Sequence, residues 1–254
     1  MTNENYHATG VLVLHAVTPV IQAVFGGYNL GAFDSKSAGV PKSHNVCIAK
    51  FSHANGPFWG DVLKELLELA RSLPIDSEDV VRANDGGLLR RLVKHFASDS
   101  EDAAVSADVV LQLLEQSDPA EEANLPSLFV VASSLDDGHA LEGIIFEGAW
   151  YGSELELGAY SGHGLYISKR VCVDTCSARA MQLGVELDSA IAEGQFEIAA
   201  KVLADEVRGL LAMITDVDIR EMIDEELMGL LWTDAAVVDE PSLGEDSDAN
   251  RLLM

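Results

Sequence analysis

A run of short apolar segments separated by glycine-containing turns, residues 128–174, constrains the fold of this chain more than any other feature. Turn-forming pairs stand at Asp137-Gly138 and Gly152-Ser153, and residues 162–164 offer a third turn in which glycines flank a histidine. Apolar and polar side chains alternate along residues 165–174, which is the period of a strand with one buried face. The stretch therefore predicts an antiparallel meander of short strands.

A second group of strands is predicted nearer the N-terminus, over about residues 11–52. Val and Leu dominate residues 11–25, and Pro19 argues against one continuous helix or one central strand. Two strands are therefore predicted there, about Val11–Val17 and Val20–Phe25. A third strand is predicted over residues 45–52, after a glycine-rich loop.

Helical periodicity follows each group of strands. Apolar side chains recur at helical spacing over residues 59–72, 88–96 and 104–116, and again over about 175–193, 196–214 and 219–232. The predicted fold class is α+β: antiparallel strands in two groups (about 11–52 and 128–174), each followed by helices, with a helical acidic C-terminal region.

The polar segment 117–126, which holds two prolines and Glu121-Glu122, is the best candidate for a domain boundary. The predicted organisation is a near-neutral α/β lobe (1–116), a polar connector (117–126), a β-meander with three acidic helices (127–232) and a flexible acidic tail (233–254). The sequence leaves open whether the two strand groups share one sheet or form two lobes.

Acidic residues are concentrated in the C-terminal part of the chain. The net charge is −26, of which residues 1–100 contribute −1 and residues 101–254 contribute −25. Such an acidic face repels phosphates, so direct nucleic-acid binding is not predicted. It favours instead a partner protein with a basic surface, such as a surface that otherwise holds nucleic acid.

The leading functional hypothesis is an acidic, non-enzymatic interaction protein that acts as an inhibitor or regulator by mimicking nucleic acid. Its candidate partner-binding side chains lie opposite the predicted apolar seams of the C-terminal helices. They are Glu193, Glu197, Asp205, Asp216, Asp218, Glu221, Asp224, Glu225 and Glu226.

Three features predict a cytoplasmic protein that does not associate with membranes. No segment offers the roughly 18 consecutive apolar residues that a membrane helix needs. The first ten residues lack the basic region of a secretory signal. The three cysteines, Cys47, Cys172 and Cys176, are too few for a disulfide framework, which favours a reducing compartment.

The alternative hypothesis is a cysteine-dependent enzyme that uses Cys172 or Cys176 with His163. If Cys172 ends a strand and Cys176 lies in the first turn of the next helix, the helix N-terminus favours the Cys176 thiolate. His163, or else His139, could then accept its proton. The simpler interpretation is that both cysteines are small buried hydrophobes at a strand-to-helix junction.

No metal site or cofactor is predicted, because the cysteines and histidines lack the paired spacing of structural zinc ligands. A third functional hypothesis is a homo-oligomeric structural protein. Leu210, Leu211, Met213 and Ile214 provide more apolar surface than one helix seam needs. A homodimer through the C-terminal helices would bury that surface.

Overall fold

One antiparallel sheet joins both predicted groups of strands. The computed structural model describes residues 5–32, 45–50, 56–73, 85–96, 101–152 and 160–233. Its six strands are β1 Asn5–Val13, β2 Gly31–Ala32, β3 Asn45–Lys50, β4 Gly143–Tyr151, β5 Tyr160–Ser168 and β6 Cys172–Cys176. Their order across the sheet is β2-β3-β1-β4-β5-β6, and every neighbouring pair is antiparallel.

Helices follow each group of strands, so the predicted α+β fold is confirmed. The first set is α1 Pro19–Phe25, α2 Trp59–Ser72, α3 Asp85–Phe96, α4 Glu101–Gln116 and α5 Leu125–Ser134. The second set is α6 Ser177–Ala192, α7 Phe196–Ala212 and α8 Val217–Thr233. Because β1 pairs with β4 over nine residues, the connector at 117–126 does not divide the sheet.

The core lies between one face of the sheet and the first set of helices. The strand register aligns Leu12, Ile144 and Ile167 in one row across this face, and all three are buried. Phe25, Leu66, Leu92 and Leu128, all buried, contribute to the same core from α1, α2, α3 and α5. The opposite face is mostly solvated, as antiparallel sheets allow, with His7, Thr9, Glu147 and Tyr166 exposed.

Two segments predicted as strands are helices. Residues 20–25 belong to α1, in which Pro19 occupies the first turn and Val20, Ile21, Val24 and Phe25 are fully buried. Residues 128–134 belong to α5, which is capped by the Asn124 side chain accepting from the Ser127 N–H at 2.9 Å. A short apolar run has no visible period when most of its faces are buried, so its sequence does not distinguish a helix from a strand.

The third predicted turn, residues 162–164, lies inside β5. Pairing with β4 on one side and β6 on the other keeps this glycine-rich segment extended. The chain turns instead at Lys169-Arg170. The predicted turn at Gly152-Ser153 leaves the described residues at Ser153. The end of the third strand at residues 51–52 and the tail beyond residue 233 lie outside them.

The chain forms two compact units, residues 1–215 and 216–254. In the first, α6 and α7 form an antiparallel pair of helices joined at Gly194, which has the positive φ of +69° typical of a helix C-terminus. In the second, the described part is α8, whose N-terminus is capped by Asp216 accepting from the Ile219 N–H at 3.1 Å. None of the described helices is both long enough and apolar enough to cross a bilayer.

The turn at residues 136–139 connects the helical layer to the sheet. The contacts are made by Asp137 and His139. Asp137 accepts a hydrogen bond at 3.1 Å from the N–H of Val20, 117 residues earlier, and so caps α1. His139, only 1% exposed, accepts from the Leu141 N–H at 2.9 Å through Nδ1. Its Nε2 must then carry the proton that it donates to the Ala132 carbonyl at 3.1 Å.

Replacement of His139 by leucine should destabilise the protein. The change keeps the site apolar but leaves the Leu141 N–H without its acceptor and removes one of the two hydrogen bonds of the Ala132 carbonyl, which still accepts from the Leu135 N–H at 3.0 Å. The free energy of unfolding should fall by about 1–3 kcal/mol. Urea denaturation followed by circular dichroism measures this loss. His15→Leu is the matched control, because His15 is exposed and the change there should cost less than about 0.5 kcal/mol. Equal stability of the two variants would contradict the role given to His139.

Candidate functional site

A cleft of about 620 Å³ opens where the core face of the sheet extends past the helical layer. Its sheet wall contains Tyr6, Phe146, Trp150, His163, Asp174 and Cys176, and its other wall contains Tyr28 and residues 122–126. The strand register explains this composition. Beyond the aliphatic row of the core, the residues on this face of the sheet are mainly aromatic or polar. Leu165 lies opposite Asp174, and His163 lies opposite Cys176.

Cys176 and His163 form a directly opposed cross-strand pair on β6 and β5. Side chains in such a pair project from the same face with Cβ atoms about 4.5–5.5 Å apart. Asp174 lies two residues before Cys176 and shares that face, and its Oδ1 is 2.8 Å from Nε2 of His163. The structure thus brings together a thiol, an imidazole and a carboxylate, although no hydrogen bond between the Cys176 thiol and the imidazole is recorded.

Cys176 is the N-cap of α6 rather than a residue of its first turn. Its backbone is extended (φ −132°, ψ 158°), and its side chain makes no capping hydrogen bond. The helix therefore begins directly after the thiol, with first-turn N–H groups that have no acceptor within the helix. Next to it, the Ser177 hydroxyl accepts a hydrogen bond from the Gly162 N–H at 2.9 Å, which ties the helix start to β5.

Cys172 does not belong to the cleft. It is half-buried at the other end of β6, packed against the core. Burial, with a smaller contribution from the negative charge of Asp174, raises the pKa of the Cys172 thiol and disfavours its thiolate. Cys176 is four positions further along the strand, about 13 Å away, which is too far for a disulfide.

Two tyrosines contribute uncharged hydroxyl groups to the cleft walls. The ring of Tyr6 lies over Gly148, where any Cβ would overlap the tyrosine side chain, and 4.5 Å from the ring of Trp150. Burial, and then the charge of Glu122, raise the pKa of both Tyr6 and Tyr28. Their phenols therefore remain protonated at physiological pH, and among the described residues that line the cleft there is no Lys or Arg.

The turn at residues 136–139 also groups three potential metal ligands, since Asp136, Asp137 and His139 place one ligand atom each within 4.8 Å of one another. Both nitrogens of His139 are engaged with backbone groups. Burial acts to raise the pKa of Asp136, but hydrogen bonds from the Ala140 and Gly138 N–H groups outweigh it and lower that pKa. These groups hold the turn and its contacts with α1 and α5. His139 does not line the cleft with Cys176.

Further candidate surfaces lie on the C-terminal helices of each unit, α6 and α7 in the first and α8 in the second, whose predicted apolar seams are largely exposed. Among residues 177–231, Ala190 and Ala199 are the residues that are buried. Phe196 of α7 is 69% exposed and Val185 of α6 is 70% exposed. The other large apolar side chains that are exposed here are Met181, Ile191, Ile198, Leu203, Leu210, Val217, Met222, Ile223, Met228, Leu230 and Leu231.

All nine predicted partner-binding acids are exposed. Three of them have local partners: Glu193 accepts from Gln195 at 2.7 Å, Asp205 pairs with Arg208 at 2.5 Å, and Asp216 caps α8. For the other six, no hydrogen bond or ion pair is recorded within the described part of the chain. Their charges are therefore presented to solvent beside the exposed apolar side chains.

Comparison with protein-family models, curated proteins and solved structures finds no match to this chain.

The sequence identified Cys176 and His163 but missed Asp174 as the partner of the histidine, and it missed Tyr6 and Trp150. A hairpin centred on Lys169-Arg170 pairs residue 163 with residue 176, so alternation around that turn would have found the cluster. The glycines around His163 led to the prediction of a turn at residues 162–164, whereas the chain turns at Lys169-Arg170. Tyr6 and Trp150 depend on the pairing of β1 with β4, which alternation within one segment does not reveal.

Iodoacetamide should alkylate Cys176 faster than Cys172 at neutral pH. Cys176 is exposed, whereas Cys172 is half-buried and its raised pKa leaves less thiolate. The difference between the two alkylation rates should decrease as the pH rises, because the Cys172 thiolate then forms as well. Peptide mass spectrometry of timed samples measures both rates in one chain. Preferential labelling of Cys172 would contradict the placement of the two thiols.

Proposed function

We propose that α6 and α7 in the first unit, and α8 in the second, each offer an acidic and apolar surface to a partner protein with a basic surface, and that the protein acts as an inhibitor or regulator of that partner. The observation that carries the proposal is the exposure of thirteen large apolar side chains along these helices. Soluble proteins rarely leave extended apolar surface in water unless it serves an interaction. Elsewhere the same chain buries such residues well, as Leu66, Leu92 and Leu128 show.

Charge indicates what kind of partner these helices select. Residues 177–233 contain twelve Asp/Glu and four Lys/Arg, a net charge of −8. Acidic side chains flank apolar ones, as Glu197 does beside the exposed Phe196. Apolar contacts then supply affinity, while the acids attract a basic surface and repel acidic ones. A surface that otherwise holds nucleic acid has this character, and the acidic helices would compete with the phosphates.

The paired substitution Phe196→Ser with Leu203→Ser tests the apolar part. The probe is a fluorescent amphipathic helical peptide of Leu and Lys, with a Leu/Glu peptide of the same pattern as the charge control. Burial of one such side chain contributes about 2 kcal/mol, so the paired variant should bind the Lys peptide at least about 30-fold more weakly. Fluorescence anisotropy gives the dissociation constants.

Val109→Ser is the matched control, because Val109 is an exposed apolar residue of α4, outside the C-terminal helices. It should leave peptide binding unchanged, and circular dichroism should show all variants folded. Equal binding of the Lys and Glu peptides, or equal binding by wild type and the paired variant, would refute the proposal.

The triple substitution Glu221→Gln, Asp224→Asn and Glu225→Gln tests the electrostatic part. All three acids are exposed on α8. Binding of the Lys peptide should weaken several-fold at low salt and remain nearly unchanged at about 0.5 M salt, where screening suppresses surface charge. A salt dependence equal to that of wild type would show that these acids do not contribute.

A second copy of the chain is the competing occupant of the same apolar side chains. The sign of the salt effect separates the two, since acidic surfaces repel each other and self-association should strengthen as salt increases. Light scattering of the full chain at low and high salt measures this. A monomer at both salt concentrations supports a different protein as the partner. A stable dimer that F196S/L203S dissociates supports the homo-oligomer instead.

A further inference from the structure

We propose that Cys176, His163 and Asp174 form a thiol site for acyl transfer in the cleft. This inference goes beyond the binding proposal and rests on the end of the sheet rather than on the exposed helical surface. Cys176 is the nucleophile, His163 accepts and returns the proton, and Asp174 orients the imidazole. Substrates are small esters or thioesters with an apolar or aromatic acyl group.

Asp174 determines which nitrogen of His163 can act as the base. Its Oδ1 is 2.8 Å from Nε2, so Nε2 carries the proton that the carboxylate accepts. Nδ1 is then the nitrogen with a free lone pair. Phe146 contacts the ring edge-on, with centroids 6.3 Å apart, and restricts its orientation. The catalytic elements of nucleophile, base and orienting acid are thus on two adjacent strands.

The thiol and the base are brought together by register rather than by a hydrogen bond already formed. Directly opposed residues have Cβ atoms about 4.5–5.5 Å apart. Cys176 has a single side-chain torsion, and its thiol is exposed. Catalytic hydrogen bonds are often long in ligand-free sites and shorten when substrate binds.

The start of α6 supplies stabilisation for negative charge at the reacting carbonyl. This helix is 16 residues long and begins directly after Cys176, whose side chain does not cap it. Its first-turn N–H groups and its dipole are therefore directed at the position where an oxyanion would form.

The cleft walls define the substrate class. Tyr6, Phe146 and Trp150 offer apolar and aromatic contacts, which suit an apolar or aromatic acyl group. Glu122 and Asp174 are acids of the lining, and within the part of the chain that the structure describes no Lys or Arg accompanies them there. Uncharged or cationic acyl donors are therefore favoured over anionic ones.

The reaction balances without an oxidant or reductant. The Cys176 proton passes to His163, the Sγ–C bond forms at the acyl carbon, the bond from that carbon to the leaving oxygen or sulfur breaks, and His163 protonates the leaving group. Water then gives a proton to His163 while its oxygen bonds to the acyl carbon. The Sγ–C bond breaks, the proton returns to Sγ, and the carboxylic acid is released.

The test uses the full-length chain with 4-nitrophenyl acetate and 4-nitrophenyl benzoate. The expected result is a burst of nitrophenolate of about one equivalent, followed by slower turnover, with the acyl group located on Cys176 by peptide mass spectrometry. C176S should abolish the burst. H163Q should slow acylation by about 100-fold, and D174N should slow it less while altering its pH profile.

His7→Gln is the matched control, because His7 is exposed on the other face of the sheet, and it should leave the burst unchanged. F196S/L203S should also leave it unchanged, so failure of the binding proposal and failure of this one are distinguishable. A last measurement compares the rate of Cys176 acylation in the native chain with that in the urea-unfolded chain. Native acylation no faster than in the unfolded chain, or equal rates in wild type and H163Q, would overturn the proposal.

Discussion

The pairing of β1 with β4 is the contact on which the rest of the structure depends. It joins nine consecutive residue pairs from segments that are 130 or more residues apart, and it unites the two groups of strands in one sheet. It also decides which side chains face the helices. A slip of one residue would turn Leu12 away from Ile144 and the core. The same register places Gly148, His163 and Cys176 in another row of this face, so core and cleft depend on one register.

The sequence predicted the fold class and several elements well, because their signals are local. α2 has one apolar stripe, and it was predicted with the bounds that the structure shows. α1 and α5 were predicted as strands, since both are short and largely buried. The union of the two strand groups was left open, because pairing across 130 residues leaves no local pattern. For the same reason Cys176 and His163 could be singled out, whereas the carboxylate of Asp174 and the wall formed by Tyr6 could not.

The cleft and the C-terminal helices differ in the physical reason for their composition. In the cleft, the strand register determines which residues face the helices. The unusual feature is that a thiol and an imidazole lie directly opposite each other on neighbouring strands. On the C-terminal helices, apolar residues occur at ordinary helical spacing, and the unusual feature is that they are not covered. Ala190 and Ala199 are small enough to let α6 and α7 approach closely, but they bury little area. The helices thus pair without forming a core comparable to that of α1–α5.

The long separation between β1 and β4 has a consequence during synthesis. β1 leaves the ribosome early and can pair with β3, but Val13 meets Gly143 only after 130 further residues have been made. At about 5–20 residues per second, that interval is roughly 7–30 s. Throughout it, the edge of β1, which ends in Val11, Leu12 and Val13, lacks its β4 partner. Slow translation between residues 50 and 143 would extend the period in which this edge of β1 is unpaired.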